Sequence, residues 1–348
     1  MLPWSDSVYD GGILMASKVR IGVIGCGAIA RYTHLHGYAQ LNDVEVVALA
    51  DPFRENLNLM GDMHGVPVDS RYVSYEDLLA RDDIDAVSVC TPNYLHGAQT
   101  VDALQAGKHV LCEKPMATTV ETAEAMVKAA EAAGKILMVG FTHRYMEHNR
   151  VTKGLLSEGA IGNPYMIRVR FAHDGPYKSW AATTDWFFRP EKAGGGALLD
   201  MGIHALDICR YMLGEITSVS GRLGTFGKDI VVEDTAVLDL SFGGNALGYI
   251  ETGWSSKEGV LGLELYGTEG SIIVDYITPI RIFRASTGEW EEITDAKNDA
   301  AVAEMRHFVD CVKTGKQPLT SGVDGLVSVK LAAAVYESAQ TGRAVCLD

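Results

Sequence analysis

The chain has 348 residues, of which 47% are hydrophobic and 22% are charged, and its formal net charge is −15. This length exceeds what one hydrophobic core usually supports, so two domains are expected. The acidic balance argues against nucleic acid or an anionic membrane surface as a partner.

The six cysteines contain no C-x-x-C pair and mostly lie in apolar runs, which predicts buried free thiols and a cytoplasmic location. No run of eighteen apolar residues is present, so no transmembrane helix and no membrane partner are expected. Residues 1–17 lack the basic start of a secretory signal, and we predict that they form a disordered extension.

The first predicted strand leads from Lys18 into a G-x-G-x-x-A motif, Gly25 to Ala30, which is followed by a helix. Gly25 would permit the tight turn, and Gly27 would let the backbone approach a pyrophosphate. Ala28 and Ile29 begin the helix, whose free N–H groups would face the phosphates.

A second predicted strand ends at Asp51, which lies 51 − 30 = 21 residues after Ala30. That spacing suits a carboxylate that accepts from the ribose 2′-OH of NAD. Arg54, three residues further on, leaves NADP as an alternative, because a nearby cation can accommodate a 2′-phosphate. A glycine turn without nucleotide is the competing interpretation.

Two further strands, residues 86–90 and 109–112, end in polar residues: Thr91, Asn93 and His96 after the first, and Glu113 and Lys114 after the second. Alternating strands and helices imply a parallel sheet, whose carboxyl edge binds ligands. We therefore place these five residues on the cofactor side. His96 could equally be a helix-start residue, and Lys114 a solvated loop lysine.

The pattern changes after residue 141. A helix at 147–158 leads to a strand in which Tyr165, Ile167, Val169 and Phe171 face one way and two arginines the other. Later strands continue this alternation, which indicates an open, mainly antiparallel sheet. The domains are thus predicted as residues 18–141, a Rossmann domain of α/β class, and 142–348, an α/β domain for substrate binding and oligomerisation.

A predicted helix follows the glycine run at 194–196 and carries Asp200 and His204. Their i, i+4 spacing places carboxylate and imidazole on one face, with a satisfied core pair as the alternative. Side chains placed near a substrate pocket are Arg144, His173, Trp186 and Arg189; for Trp186 the alternative is aromatic packing in a loop.

Taken together, these motifs resemble the glucose-fructose oxidoreductase, inositol dehydrogenase and rhizopine-catabolism family. The matching residues are Gly25 to Ala30, Thr91-Pro-Asn-x-x-His96, Glu113-Lys114-Pro115, the glycine run with Asp200-x-x-x-His204, and the turn at 267–270. The resemblance implies a Rossmann domain followed by an α/β domain whose sheet often forms a subunit interface, and hence a homodimer or homotetramer.

By motif match, Lys114, Asp200 and His204 would be the catalytic set, acting on a secondary hydroxyl or ketone of a sugar, inositol or related polyol with NAD(P). The cofactor would contact Gly25, Gly27, Ala28, Ile29, Asp51, Arg54, Thr91, Asn93, His96, Glu113, Lys114 and Arg144. The substrate would contact Lys114, Arg144, His173, Trp186, Arg189, Asp200 and His204.

The chemistry of these residue types fits hydride transfer. A histidine with a reference pKa of about 6.5 can take the hydroxyl proton at neutral pH. Lys114 would stabilise the developing alkoxide, and Asp200 would orient the imidazole and favour its protonated form. No metal is required, and no His/Cys cluster has convincing ligand spacing.

Two other functions stay open from the sequence. A glycosidase that uses NAD transiently, by oxidation and elimination, would carry the same cofactor motifs. A non-catalytic nucleotide-binding regulator is the third, although loss of the lysine or of the Asp-His pair would be expected there, and all three residues are present.

Overall fold

The computed structural model describes residues 18–347 except 178–184, 258, 260, 278 and 295. The predicted disordered extension, residues 1–17, lies outside the described residues. Within the described part of the chain, no helix is long and apolar enough to cross a bilayer.

The first domain is a parallel six-stranded sheet in the order β3-β2-β1-β4-β5-β6, with helices between the strands. Its strands are β1 (Val19–Ile24), β2 (Val44–Ala50), β3 (Arg71–Tyr72), β4 (Ala86–Val89), β5 (His109–Cys112) and β6 (Leu137–Val139). Its helices are α1 (His36–Ala39), α2 (Arg54–His64), α3 (Tyr75–Leu79), α4 (Asn93–Gln105) and α5 (Val120–Ala133), with a π-helical turn at Ala30–Leu35 before α1.

The strand order of this sheet reverses at β1. Strands β2 and β3 lie on one side of β1 and β4 to β6 on the other, so a crevice opens between β1 and β4 at their carboxyl ends. Doubly wound sheets bind ligands at this switch point. The sheet therefore has the predicted Rossmann architecture, and the predicted ligand-binding edge lies at the carboxyl end of β1.

The second domain is built on a nine-stranded sheet, ordered β14-β13-β12-β11-β7-β10-β9-β8-β15. The strands are β7 (Pro164–Ala172), β8 (Ile216–Gly224), β9 (Thr235–Phe242), β10 (Leu247–Gly253), β11 (Leu261–Gly267), β12 (Gly270–Asp275), β13 (Ile280–Arg284), β14 (Glu289–Ile293) and β15 (Val345–Cys346). The helices are α6 (Glu147–Ser157), α7 (Pro190–Ala193), α8 (Ile203–Leu213), α9 (Ala300–Thr314) and α10 (Gly322–Thr341), with 3₁₀ turns at Thr142–Tyr145 and Trp186–Phe188.

Strands β7 and β10 are a parallel pair in an otherwise antiparallel sheet, which confirms the predicted mainly antiparallel arrangement. Because β7 and β10 run the same way, both end at the same edge of the sheet. The residues that follow them, His173 and Trp254, therefore lie side by side, and the His173 backbone N–H donates to the Gly253 carbonyl at 3.0 Å.

One residue of β7 departs from the predicted alternation. Ile167, Val169 and Phe171 are buried as expected, but Tyr165 is 51% exposed. The pairing with β11 shifts here, because Met166 faces Tyr266 while Pro164 faces Gly267, so Tyr165 has no opposite residue. It is the extra residue of a β-bulge and does not join the covered face.

The C-terminal helices return to the first domain. On α9, Met305, Phe308 and Val309 are buried in the same apolar cluster as Val19 and Ile21 of β1. Helix α10 begins with a capping box between Ser321 and Asp324 and packs against both α5 and β8. The two sheets are thus held together by helices from the end of the chain.

Candidate functional site

The glycine turn after β1 fits the approach of a dinucleotide. Gly25 has φ of +90°, and a Cβ there would lie 2.7 Å from the Cys90 carbonyl oxygen, so a larger residue is excluded. At Gly27, which is exposed, a Cβ would meet no atom within 4 Å. None of the described residues fills this space, so the bare backbone there is open to a ligand. Next to Gly27 in the chain, Ala28 is partly exposed and Ile29 is exposed.

Asp51 ends β2 next to this turn, as predicted. Its Oδ2 accepts from the Cys26 backbone N–H at 2.8 Å, and its Oδ1 accepts from the Phe53 N–H at 2.8 Å. The carboxylate therefore holds the glycine turn to the start of α2. The Asn56 amide also donates to Oδ1, at 3.3 Å, so Oδ2 is the oxygen that retains a lone pair for a further donor. Arg54, the first residue of α2, is exposed.

The other predicted cofactor residues at the sheet edge are mainly structural. His96 is fully buried, with its two ring nitrogens 2.8 Å from the Pro115 carbonyl and 2.6 Å from the Thr91 carbonyl, so it ties together the loops after β4 and β5. The Asn93 amide donates to the Ala193 carbonyl of the second domain at 2.9 Å. The Thr91 hydroxyl lies 2.5 Å from Gln99.

Glu113 turns inward rather than toward a ligand. Its carboxylate is buried, lies 2.9 Å from the His34 ring and accepts from the Lys114 backbone N–H at 3.1 Å. Burial alone would raise its pKa, but His34 holds that pKa below the usual value. Glu113 therefore supports the backbone of Lys114 and the helix after the glycine turn.

Arg144 is also not available to a ligand, contrary to the sequence-based prediction. Its guanidinium binds both oxygens of Asp207, at 2.8 and 2.6 Å, and its remaining donors face the Leu319 carbonyl and Asp324. Only 5% of the Arg144 side chain and 1% of the Asp207 side chain are exposed. The pair is a buried structural link between the 3₁₀ turn after β6, α8 and α10.

Lys114 and Asp200 do meet across the two domains. The Lys114 Nζ donates to Asp200 Oδ1 at 2.8 Å and to the Asp200 backbone carbonyl at 2.8 Å. Burial would raise the pKa of Asp200, but Lys114, with smaller contributions from His173 and the Trp254 N–H, keeps the pKa below its usual value. The lysine after β5 is therefore held in place at the cofactor edge, which argues against a solvated loop lysine.

Asp200 does not pair with His204, and this corrects the sequence-based prediction. Its second oxygen, Oδ2, accepts from the Trp254 indole N–H at 2.8 Å and lies 4.0 Å from His173 Nε2. Among the described residues no hydrogen bond or ion pair joins the Asp200 carboxylate to the His204 ring. The i, i+4 spacing placed the two residues on one face, but Asp200 finds its partners on other elements.

His204 sits instead against His143, with the ring centroids 4.5 Å apart, and edge-on to Phe141 at 6.1 Å. Its Nδ1 is buried without a hydrogen-bond partner in the described chain. Burial lowers the pKa of His204 well below the ordinary value, and Lys114 and His143 lower it further. The imidazole is therefore neutral at physiological pH and able to accept a proton.

His143 was not singled out from the sequence. Its Nδ1 lies 3.2 Å from the Tyr276 hydroxyl, which also accepts from the Asn149 amide at 2.8 Å. A Tyr276 O–H that donates to Nδ1 would leave the ring proton of His143 on Nε2. Burial and then Lys114 lower the pKa of His143 to about 3, so this ring is neutral as well.

The glycine run before Asp200 packs against neighbouring side chains. A Cβ at Gly195 would lie 1.9 Å from the Tyr336 hydroxyl, and one at Gly196 would lie 2.0 Å from the Glu233 carbonyl oxygen. Glu233 in turn accepts from the Gly196 N–H at 2.9 Å and the Leu198 N–H at 3.1 Å. This carboxylate caps the π-helical turn Leu198–Gly202 that carries Asp200.

Two pocket residues predicted from the sequence lie at the surface. Arg189 is exposed and forms an ion pair with Asp185 through a 2.6 Å hydrogen bond. Trp186 is half-buried and stacks on Phe187, with ring centroids 3.8 Å apart. His173 lies closer to the predicted catalytic residues, beside Asp200, and its Nδ1 accepts from the Gly175 N–H at 2.7 Å.

In the described residues, no group of three His, Cys, Asp or Glu side chains is arranged to hold a metal ion. His34 and His36, two positions apart in the chain, bind different carboxylates: His34 lies against Glu113 and His36 against Asp299.

Comparison with known proteins identifies the family of the chain. Residues 19–141 match the oxidoreductase family with an NAD-binding Rossmann fold, and residues 149–273 match the GFO/IDH/MocA C-terminal domain. A 1,5-anhydro-D-fructose reductase of Ensifer adhaerens is 32% identical over 94% of this chain and 98% of its own length. The chain belongs to this family.

Further members of the GFO/IDH/MocA family align over almost their whole length. Myo-inositol 2-dehydrogenase of Thermotoga maritima is 28% identical over 95% of this chain and 99% of its own. The crystal structure of an aldose-aldose oxidoreductase of Caulobacter crescentus with glycerol is 30% identical and has a TM-score of 0.86, covering 95% of this chain and 100% of that one. The family, the fold and an NAD-dependent oxidoreductase activity, all predicted from the sequence, are thus confirmed.

Proposed function

We propose that this GFO/IDH/MocA oxidoreductase acts on a secondary hydroxyl or ketone of a sugar, inositol or related polyol. The observation that carries the proposal is the meeting of Lys114 with Asp200 beside a neutral His204 at the carboxyl edge of the NAD-binding sheet. The names of the related reductase, dehydrogenase and aldose oxidoreductase support the same substrate class.

The nicotinamide of bound NAD supplies the hydride acceptor or donor. Residues of this chain would hold the cofactor: Gly25 permits the tight turn, Gly27 would leave room for the pyrophosphate, and Asp51 would accept from the ribose 2′-OH. His204 takes the hydroxyl proton, and Lys114 donates to the same oxygen and stabilises its developing negative charge. Asp200 keeps Lys114 in place for this contact.

A panel of sugars and inositols, each incubated with the purified protein and NAD, tests this function. We expect NADH formation with at least one of them and a ketone product visible by NMR, with both lost in His204→Gln. An aryl glycoside belongs in the same panel, because released phenol without net NADH would identify the NAD-dependent glycosidase instead. NAD binding without turnover of any compound would favour the regulatory alternative.

We predict a preference for NAD over NADP, because Asp51 accepts from a 2′-OH and repels a 2′-phosphate. Asp51→Asn removes the charge and keeps an oxygen for the Cys26 N–H, so it should narrow the ratio of kcat/KM values for NAD and NADP by about tenfold or more. Steady-state kinetics with both cofactors measures the ratio. Glu55→Gln, which neutralises an exposed carboxylate in the first turn of α2, should leave this ratio unchanged. A wild-type enzyme that prefers NADP would contradict the assignment.

We also propose a homodimer or homotetramer that uses the uncovered face of the nine-stranded sheet. Helices α8 and α10 pack against one face, and the other carries Arg168, Tyr249 and Asp239 in one row across three strands. Leu247, in the row beside it, is 60% exposed. A large sheet face with an exposed leucine favours burial by a symmetric copy.

Light scattering at micromolar concentration should show the oligomer, and Leu247→Lys should dissociate it. Val68→Lys is the matched control, because Val68 is an equally apolar residue of the first domain with 74% exposure. A wild-type monomer would reject this proposal.

A cytoplasmic location is proposed on the state of the cysteines. All six are free, and five are buried, which suits a reducing compartment. Cys346 differs from the sequence-based expectation because it is exposed at the end strand β15.

A further inference from the structure

Asp200 is held from two sides. Lys114 binds its Oδ1, and the Trp254 indole N–H binds its Oδ2 at 2.8 Å. The Asp200 side chain is 12% exposed, so few waters can replace either partner. The direction of the carboxylate is therefore set by Trp254 as much as by Lys114.

Trp254 is itself fixed. It follows β10, is 1% exposed, and its backbone N–H donates to the Asp234 carbonyl at 2.7 Å. Tyr177 and Phe188 stack on each other and meet the indole edge-on, at centroid distances of 6.4 and 6.2 Å. An aromatic side chain packed in this way presents its N–H in one direction only.

Among the described residues, the titratable groups that act on the pKa of His204 are Lys114, which follows β5, and His143, which lies in the 3₁₀ turn. His173, which follows β7, lies beside Asp200. On the helical segment of His204 itself, Asp207 is bound to Arg144, and Asp200 is bound to Lys114 and Trp254. The Tyr276 hydroxyl contacts His143, whose ring packs against His204.

We propose that Trp254 is a positioning residue that holds Asp200 on Lys114 and away from His204, so that His204 remains a neutral proton acceptor during alcohol oxidation. The proposal rests on the proposed function for the reaction, but its geometric part concerns only this chain. A carboxylate next to an imidazole favours the imidazolium form, which cannot take a proton from the substrate. Keeping the Asp200 carboxylate away from the His204 imidazole leaves the imidazole in its neutral form.

Loss of the indole N–H would leave Asp200 Oδ2 in a largely buried place without a donor. Such an oxygen moves toward another partner, because an unpaired buried polar atom is costly. The imidazoles of His173, at 4.0 Å, and of His204, one turn along the helix, can supply a proton, whereas Lys114 already donates to Oδ1 and to the Asp200 carbonyl. If Asp200 Oδ2 moves toward either imidazole, it favours the protonated form of that imidazole.

The test compares Trp254→Phe with wild type, since phenylalanine keeps an aromatic ring against Tyr177 and Phe188 and lacks the donor. NMR of histidine-labelled protein, assigned with His204→Gln, follows the protonation of His204 directly. We expect His204 to be neutral at pH 6.5 in wild type and its titration midpoint to rise by a pH unit or more in Trp254→Phe. The acidic limb of kcat/KM for oxidation should move to higher pH by the same amount, with KM for NAD unchanged.

The double variant Trp254→Phe/Asp200→Asn decides the cause, because without the carboxylate the midpoint should stay low. Trp290→Phe, a half-exposed tryptophan of β14, controls for loss of an indole. A merely structural role of Trp254 would lower kcat at all pH values without moving the limb, and that result would overturn the proposal. If Trp254→Phe does not fold, the wild-type titration still decides: a His204 that is charged at neutral pH contradicts the proposal, whether or not a sugar is turned over.

Discussion

Lys114→Met and His204→Gln are each expected to lower kcat by about 10²- to 10⁴-fold while NAD binding stays close to that of wild type. His204 is neutral and lies beside Lys114, so it can take the hydroxyl proton, and the Lys114 ammonium can stabilise the oxygen that remains. Both interactions become stronger in the transition state, so their loss appears in kcat. Turnover of the best substrate from the panel and NADH fluorescence titration measure the two quantities separately.

Two matched variants control for the loss of a lysine or a histidine. Lys330 forms a surface ion pair with Glu124, and His64 lies in the last turn of α2, so Lys330→Met and His64→Gln should retain nearly full turnover. Near wild-type kcat in both Lys114→Met and His204→Gln, with intact NAD binding, would show that the two residues are structural.

Asp200 needs a revised expectation. Because its carboxylate binds Lys114 and Trp254, Asp200→Asn should reduce kcat through Lys114. The acidic limb of the pH profile, which the pKa of His204 sets, should stay at the same pH as in wild type, because the Asp200 carboxylate does not bind His204. This differs from the outcome expected for an Asp200–His204 pair, in which loss of the carboxylate would lower the pKa of the imidazole.

The first domain could be predicted from the sequence because the roles of its key residues are local. Each role depends on a few neighbouring backbone atoms, and the spacing of the motif indicates it; this holds for Gly25, Gly27, Ala30 and Asp51. Lys114 was singled out at the end of a predicted strand, and His204 by its i, i+4 spacing from Asp200 in a predicted helix; the resemblance to the family implied their catalytic roles. In these cases the functional group and the structure that presents it lie within a few residues of each other.

Side-chain partners were harder to predict because they depend on how distant elements meet. Trp254 follows β10, and only the parallel pairing of β10 with β7 brings it beside His173 and Asp200. His143 becomes relevant only when the turn after β6 packs on α8. A spacing of i, i+4 shows that two residues share a helix face but does not show which competing partner each will bind.

Arg144 is the clearest such case. It was expected in the binding pocket, yet its guanidinium binds Asp207, 63 residues later in the chain. A buried carboxylate requires a paired cation, and this requirement outweighs proximity to the ligand edge.

Arg144→Met should lower the free energy of unfolding by about 3–5 kcal/mol, the usual cost of removing one partner of a buried ion pair. Asp207 would be left buried, with Arg210 and Asp324 still bound to each other at 2.6 Å. Burial already raises the pKa of Asp207, and loss of Arg144 would raise it further. A folded carboxyl with a raised pKa destabilises the fold once the pH is high enough to ionise it in the unfolded chain. Wild-type Asp207 already has a pKa of about 6, so the loss relative to wild type should grow as pH rises from about 6 to the higher pKa of the variant.

Urea unfolding at pH 5 and pH 8 measures both the loss and its pH dependence. Arg144→Met/Asp207→Leu should recover a large part of the stability and all of the pH dependence, since an apolar pair of similar volume can replace a buried ion pair. Full recovery is not expected, because the Leu319 carbonyl also loses its donor. Arg150→Met, in a surface pair with Glu147, should cost less than about 1 kcal/mol. If Arg144→Met is as mild as Arg150→Met, the buried pair is not a structural link, and a role for Arg144 in ligand binding regains support.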